Sequence, residues 1–138
     1  MGFTTWLPVE PGTDVLELIG GAAPALRELY ASLWDAGVGP AVLSACQEAI
    51  EATIGTRARA GGGELDAATK AAVMFAEQYV VDAHGVTDAQ AAALHEHFTD
   101  EQLAALTTAI ATFDAIARVQ AVLSAEGGTP ATFTVEGP

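Results

Sequence analysis

Of the 138 residues, eighteen are acidic and five basic, a net charge of −13, and 51% are hydrophobic although only 7% are aromatic. That apolar content excludes a wholly disordered chain, and the length suits one domain of about 100–150 residues. Arg27, Arg57, Arg59, Lys70 and Arg118 are the whole cationic inventory, too few to grip a phosphate backbone or an anionic membrane surface, so neither nucleic acid nor membrane is an expected partner.

Thirty alanines favour closely packed helices, because Ala loses no side-chain entropy on entering one. Residues 1–12, with Pro8, Pro11 and Gly12, read as an extended lead-in. Thr13-Asp14 opens a short helix through Val15, Leu16, Leu18 and Ile19, closed by Gly20-Gly21. Pro24 suits the first turn of the next helix, whose stripe is Leu26, Leu29, Tyr30, Leu33 and Trp34 and whose end is Gly37 with Gly39-Pro40. A third helix is expected from about 41 to 60, with Leu43, Cys46, Ile50 and Ile54 on one face and Gln47, Glu48 and Glu51 on the other. Gly61-Gly62-Gly63 breaks it. Asp66 then caps a helix holding Val73, Met74, Phe75, Tyr79 and Val80 that stops near Gly85.

Thr87-Asp88-Ala89-Gln90 and Thr99-Asp100-Glu101-Gln102 both match the capping-box pattern, in which a hydroxyl and a side-chain amide satisfy two orphan backbone N–H groups. They mark a short helix from Asp88 to about His97 and a long one from Asp100 to about Ser124. Leu103, Leu106, Ile110, Phe113 and Ala117 form the stripe of the long helix, and Ile116, Val119 and Leu123 widen it, so burial on more than one side is expected. After Gly127-Gly128, Thr132-Phe133-Thr134-Val135 alternates like a short strand or a docking arm.

No apolar run approaches the ~20 residues needed to span a bilayer, and the N-terminus shows no secretory signal. The single cysteine, Cys46, has no partner for an internal disulfide and suits a reducing, cytoplasmic location.

Two stretches resemble the carboxymuconolactone decarboxylase family, which includes the alkylhydroperoxidase D-like proteins. The first runs from Leu65-Asp66-Ala67-Ala68 through Lys70, Val73-Met74-Phe75-Ala76-Glu77 and on to Asp82-Ala83-His84-Gly85-Val86-Thr87. The second runs from Leu94 through Phe98-Thr99-Asp100-Glu101-Gln102 to Phe113-Asp114-Ala115-Ile116-Ala117-Arg118. With Leu26-Arg27-Glu28 upstream, the resemblance spans roughly residues 22–124. It implies an all-α, alkylhydroperoxidase D-like bundle of about six helices that forms a homo-oligomer, with residues 1–21 as lead-in and short helix and 125–138 as tail.

Redox members of that family carry a Cys-x-x-Cys pair followed by a histidine. If Gly55 stands for the glycine preceding that motif, the two cysteine positions fall near Thr56 and Arg59 and the histidine near Gly63. Disulfide cycling needs one sulfur to attack and a second to resolve, and Cys46 lies nearly three helical turns too early to serve. The resemblance therefore implies a member without peroxidase cycling. Such a member is either a cofactor-free decarboxylase or lyase acting on a small carboxylate or lactone, or a catalytically silent ligand-binding or assembly module.

Among candidates for chemistry, Glu48 and Glu51 are three residues apart on one helix face and form either an acid–base pair or a solvated face. His84, at a helix end, is either a dipole-stabilised terminal residue or a general acid–base. Arg57 and Arg59 either bind a substrate carboxylate or decorate an exposed helix end. Glu77, Asp114 and Arg118 are expected as a structural ion-pair set, with Asp114 and Arg118 at i, i+4 spacing and Arg118 at a recurrent position of the resembled family. His95-Glu96-His97 has the wrong helical spacing for a metal pair, so no metal is expected. Cys46, on the apolar stripe, reads as a buried small hydrophobe.

Overall fold

The computed structural model describes residues 7–58, 63–125 and 129–135. Six α-helices lie among them: α1 (Val15–Ile19), α2 (Ala23–Trp34), α3 (Pro40–Ile54), α4 (Ala67–Asp82), α5 (Asp88–His97) and α6 (Asp100–Val122). Single 3-10 turns follow α1 at Gly20–Ala22 and α4 at Ala83–Gly85. Two-residue strands β1 (Ser124–Ala125) and β2 (Thr129–Pro130) pair antiparallel. The chain is mostly helical, and no helix among the described residues is long and apolar enough to cross a membrane.

Local chemistry sets the helix starts. Asp14 and Asp66 accept the backbone N–H groups of Leu16 and Thr69, at 2.9 and 2.8 Å, and so cap α1 and α4. Both capping boxes form: Thr87 with Gln90 opens α5 and Thr99 with Gln102 opens α6. Gln102 does a second job, because its amide nitrogen donates to the Gly37 carbonyl at 3.0 Å and ties the α2–α3 connection to the start of α6.

α3 differs from expectation at its C-terminus. It stops at Ile54 rather than near residue 60, because Gly55 adopts φ +103°, a left-handed conformation that side-chain-bearing residues rarely take.

The core lies where α3 packs on α4 and α6, with α2 closing one side of α6. Leu43, Cys46 and Ile50 of α3 and Leu106 and Ile110 of α6 are completely buried, and Phe113 nearly so. Burial of each large apolar side chain is worth about 1.5–3 kcal/mol, more than a typical cap at ~1 kcal/mol, so packing rather than capping holds the helices together. One expectation of burial fails: Val119, which widens the stripe of α6, is 40% exposed, and Met74 on α4 is likewise 50% exposed, because no described element covers those sides of the two helices.

Both flanking segments return to the bundle. Leu7 and Val9 donate their backbone N–H groups to the Val122 and Ser124 carbonyls. Residues 131–135 are a docking arm rather than a strand, with one isolated bridge between Asp14 and Thr132. Thr132 donates to the Thr13 carbonyl at 2.8 Å, and Val15 donates to the Thr132 carbonyl at 2.9 Å. The second carboxylate oxygen of Asp14 accepts the Thr134 N–H at 2.9 Å. One side chain thus caps α1 and anchors the arm. Asp14→Ala should lower stability by at least the ~0.5–2 kcal/mol of a lost cap and raise amide exchange at Thr132 and Thr134, with helix content kept. Urea titration with hydrogen-exchange mass spectrometry checks this, and an unchanged midpoint with unchanged exchange would refute the double role.

Candidate functional site

Because Leu43, Cys46 and Ile50 are locked in the core, the rotation of α3 is fixed. Steps of about 100° per residue then carry Gln47 and Glu51 to the border of the buried stripe and Glu48 beyond it. Exposure follows that order: the Glu51 side chain is 16% exposed and that of Glu48 53%.

The end of α3 brings a cation back to these acids. At the Gly55 turn the Glu51 carbonyl accepts the backbone N–H groups of Gly55, Thr56 and Arg57 at 2.8, 2.9 and 3.3 Å. The chain curls around that oxygen, so Arg57 folds over the helix end. Its Nη2 lies 2.8 Å from Glu51 Oε1 and its Nη1 3.5 Å from Glu48 Oε1. In a continuous helix, residues six apart such as Glu51 and Arg57 would point in quite different directions. The contact at Glu51 is an ion pair without hydrogen-bond alignment, and Oε1 stays buried with no hydrogen-bond partner.

Glu51 and Arg57 line a cleft of about 190 Å³ with Tyr30 of α2, Phe113 and Gln120 of α6, and Phe133 of the arm. The Tyr30 ring meets Phe133 and Phe113 edge-on, with centroids 5.5 and 6.0 Å apart. Gln47, also at the cleft, donates from Nε2 to the Tyr30 hydroxyl at 2.9 Å. Gln120 donates from Nε2 to the Ala131 carbonyl at 2.9 Å, which fixes the arm against α6. Burial pushes the Glu51 carboxyl above its ordinary value near 4.5; Arg57 opposes that rise and Glu48 adds to it.

Of the residues expected to act together, the structure gathers Glu48, Glu51 and Arg57. His84 is not with them: α4 ends at Asp82, and the following 3-10 turn leaves His84 exposed, its backbone N–H held by the Asp82 carboxylate at 3.0 Å. Arg59 lies outside the described residues.

Arg118 Nε donates to both carboxylate oxygens of Asp114, at 2.9 and 3.1 Å, and its Nη2 donates to the Val80 carbonyl on α4 at 2.9 Å. Glu77 sits half-buried on α4. Cys46 is fully buried and burial pushes its thiol up to about 12, which leaves almost no thiolate at neutral pH. Among the described residues no three His, Cys, Asp or Glu side chains gather to hold a metal ion.

Sequence reasoning missed Tyr30, Gln47, Gln120 and Phe133 as parts of one cleft. The signals available were a hydroxyl on the apolar stripe of α2 and the alternation in residues 132–135, and neither specifies what it faces.

Two outcomes test this geometry. Gly55→Ala should destabilise the fold by about 1 kcal/mol through backbone strain alone, since open space surrounds the position. An unaffected urea midpoint would mean that the turn does not need glycine. For Glu51, the native carboxyl keeps its proton to higher pH than the unfolded one, so its stabilising contribution is complete below about pH 4.5 and is lost as pH rises through the native value. Melting curves of Glu51→Gln and the parent chain should therefore diverge in favour of the variant as pH rises above that point. Divergence in the opposite sense would mean that pairing with Arg57 outweighs burial. No protein-family model matches the chain, and no curated protein or solved structure is significantly similar to it.

Proposed function

We propose that this chain binds a small organic molecule in the cleft between α2, α3, α6 and the arm, with Glu51 as the group that exchanges a proton with it. The observation that carries this reading is the mostly buried Glu51 carboxylate, ion-paired with Arg57 at 2.8 Å on the wall of a cleft. A carboxyl that burial lifts above its ordinary value is suited to general acid–base work. Arg57 is its charge partner and holds it in place. The volume of about 190 Å³ is below the ~300–1,000 Å³ of clefts for drug-sized ligands, which favours a compact molecule.

The proposal keeps the kinship with the carboxymuconolactone decarboxylase family, as a member without disulfide cycling. It is supported by the succession of helices over the resembling segments and by the buried, unpaired Cys46. In that setting the activity is a cofactor-free lyase or decarboxylase reaction, in which ionised Glu51 takes a proton from the substrate or, protonated, returns one. An assembly role is the second reading, favoured by the apolar groove of Leu7, Val119, Val122 and Leu123, of which the first three are 40–55% exposed.

Thermal-shift screening against small amines, alcohols, carboxylates and lactones, followed by turnover assays on the hits, tests the first reading. Stabilisation by at least one class, lost in Glu51→Gln, is the expected result. No stabilisation by any class, together with concentration-dependent sedimentation, would overturn it in favour of assembly.

A further inference from the structure

We propose that the arm exchanges between two copies of this chain, so that the partner subunit's Phe133 completes each cleft. The inference goes beyond the small-molecule reading and does not rest on it, because exchange leaves the make-up of each cleft unchanged.

The docked arm displays what its groove recognises. Residues 131–135 lie there as an extended segment with alternating sides. Ala131 is buried and Phe133 and Val135 pack against the core, while Thr132 and Thr134 are exposed. The bundle grips the backbone between these side chains. Thr13 and Asp14 accept the N–H groups of Thr132 and Thr134, Val15 donates to the Thr132 carbonyl, and Gln120 donates to that of Ala131. Backbone bonds combined with pockets for alternate side chains are how proteins take up an added strand. None of these contacts depends on the route by which the arm arrives, and Asp14 and Thr134 stand 120 residues apart in the chain. The arm of a second copy makes every one of them again, and reciprocal exchange closes as a two-fold dimer.

The connection decides whose arm docks. β1 and β2 pair over two residues each, Ser124 with Pro130 and Ala125 with Thr129. Pro130 has no N–H to donate, so the pairing that turns the arm back on its own bundle is short of a donor. Glu126-Gly127-Gly128 alone join the two strands. A connection too short to close within one chain drives the segment to a second copy. In the parent chain the attached arm competes at an effective concentration of about millimolar, so exchange grows as the protein approaches that concentration.

Charge adds a condition. Two copies of −13 each repel one another. Residues 131–135 carry no charge, so the exchanged segment brings none into the groove. The repulsion acts between the two bundles and is screened by salt. Exchange is therefore favoured by rising ionic strength.

Sedimentation velocity on the parent chain and on a chain lacking Gly127 and Gly128 tests this. The deletion leaves one residue between the paired strands, fewer than the two of the tightest common hairpins. The expected result is a deletion variant that is dimeric at ~10 µM, about a hundredfold below the effective concentration of the attached arm. Added salt should tighten that dimer, its Thr132 and Thr134 amides should stay protected from exchange, and Phe133→Ala in the same background should return it to monomer. A monomeric deletion variant with raised exchange at those two amides would overturn the proposal, since the arm would then fail to dock from a second copy. A dimer indifferent to Phe133→Ala would overturn it as well, and would assign association to the apolar groove of Val119 and Val122. If the deletion variant does not fold, a labelled peptide of residues 129–135 is titrated into the full chain carrying Phe133→Ala. It should bind at about millimolar or tighter, and a peptide carrying Phe133→Ala should bind about tenfold more weakly or worse. Absent binding, or equal binding of the two peptides, would refute docking between copies.

Discussion

The rotational setting of α3 governs the rest of the molecule. Leu43, Cys46 and Ile50 have no exposure at all, and the helix is packed on both α4 and α6. Turning α3 to face its acids differently would lift those side chains into water at about 1.5–3 kcal/mol for each large one, against a total stability of about 5–15 kcal/mol for a typical domain. The direction of Gln47, Glu48 and Glu51 is therefore decided by the opposite side of the helix. Gly55 completes the arrangement by ending α3 where the Glu51 carbonyl can gather three amides. Core packing and one left-handed residue together create the Glu51–Arg57 contact.

What the sequence made legible was whatever depends on a few adjacent residues. The capping boxes at Thr87 and Thr99 and the Asp66 cap are i to i+3 interactions, and they form where their spacing says. The i, i+4 pair of Asp114 and Arg118 is of the same kind. The end of α3 was less legible, because Gly55 is followed by Thr56, Arg57 and Ala58, all compatible with a helix. Glycine costs a helix only about 1 kcal/mol, so its capping role is set by context. The walls of the cleft were not legible at all, since Tyr30, Phe113 and Phe133 are brought together only by tertiary packing. The exposed sides of Met74 and Val119 belong to the same class, because periodicity gives a helix face and not what covers it.

The cysteine count and the charge balance acquire different meanings in three dimensions. A lone thiol could in principle be reactive, but complete burial keeps Cys46 protonated, and it serves as a core hydrophobe. The excess of acids, at first an argument about excluded partners, also concerns the cleft itself. With only five basic residues in the chain, a positive pocket would need several of them in one place. Instead Arg57 is shared by two glutamates and Arg118 is held by Asp114 and the Val80 carbonyl.

The arm makes the walls of the cleft unequal in free energy. Tyr30, Gln47 and Phe113 stand on helices that cannot move without opening the core. Phe133 stands on an extended segment held mainly by Asp14, Thr13, Val15 and Gln120. Local opening of such a segment lies far below global unfolding on the free-energy scale. Release of that one wall would open the cleft while the bundle stays folded. Any occupant that touches Phe133 must stabilise the docked arm by the same linkage, so affinity here includes the closing of the arm as well as the contacts of the site.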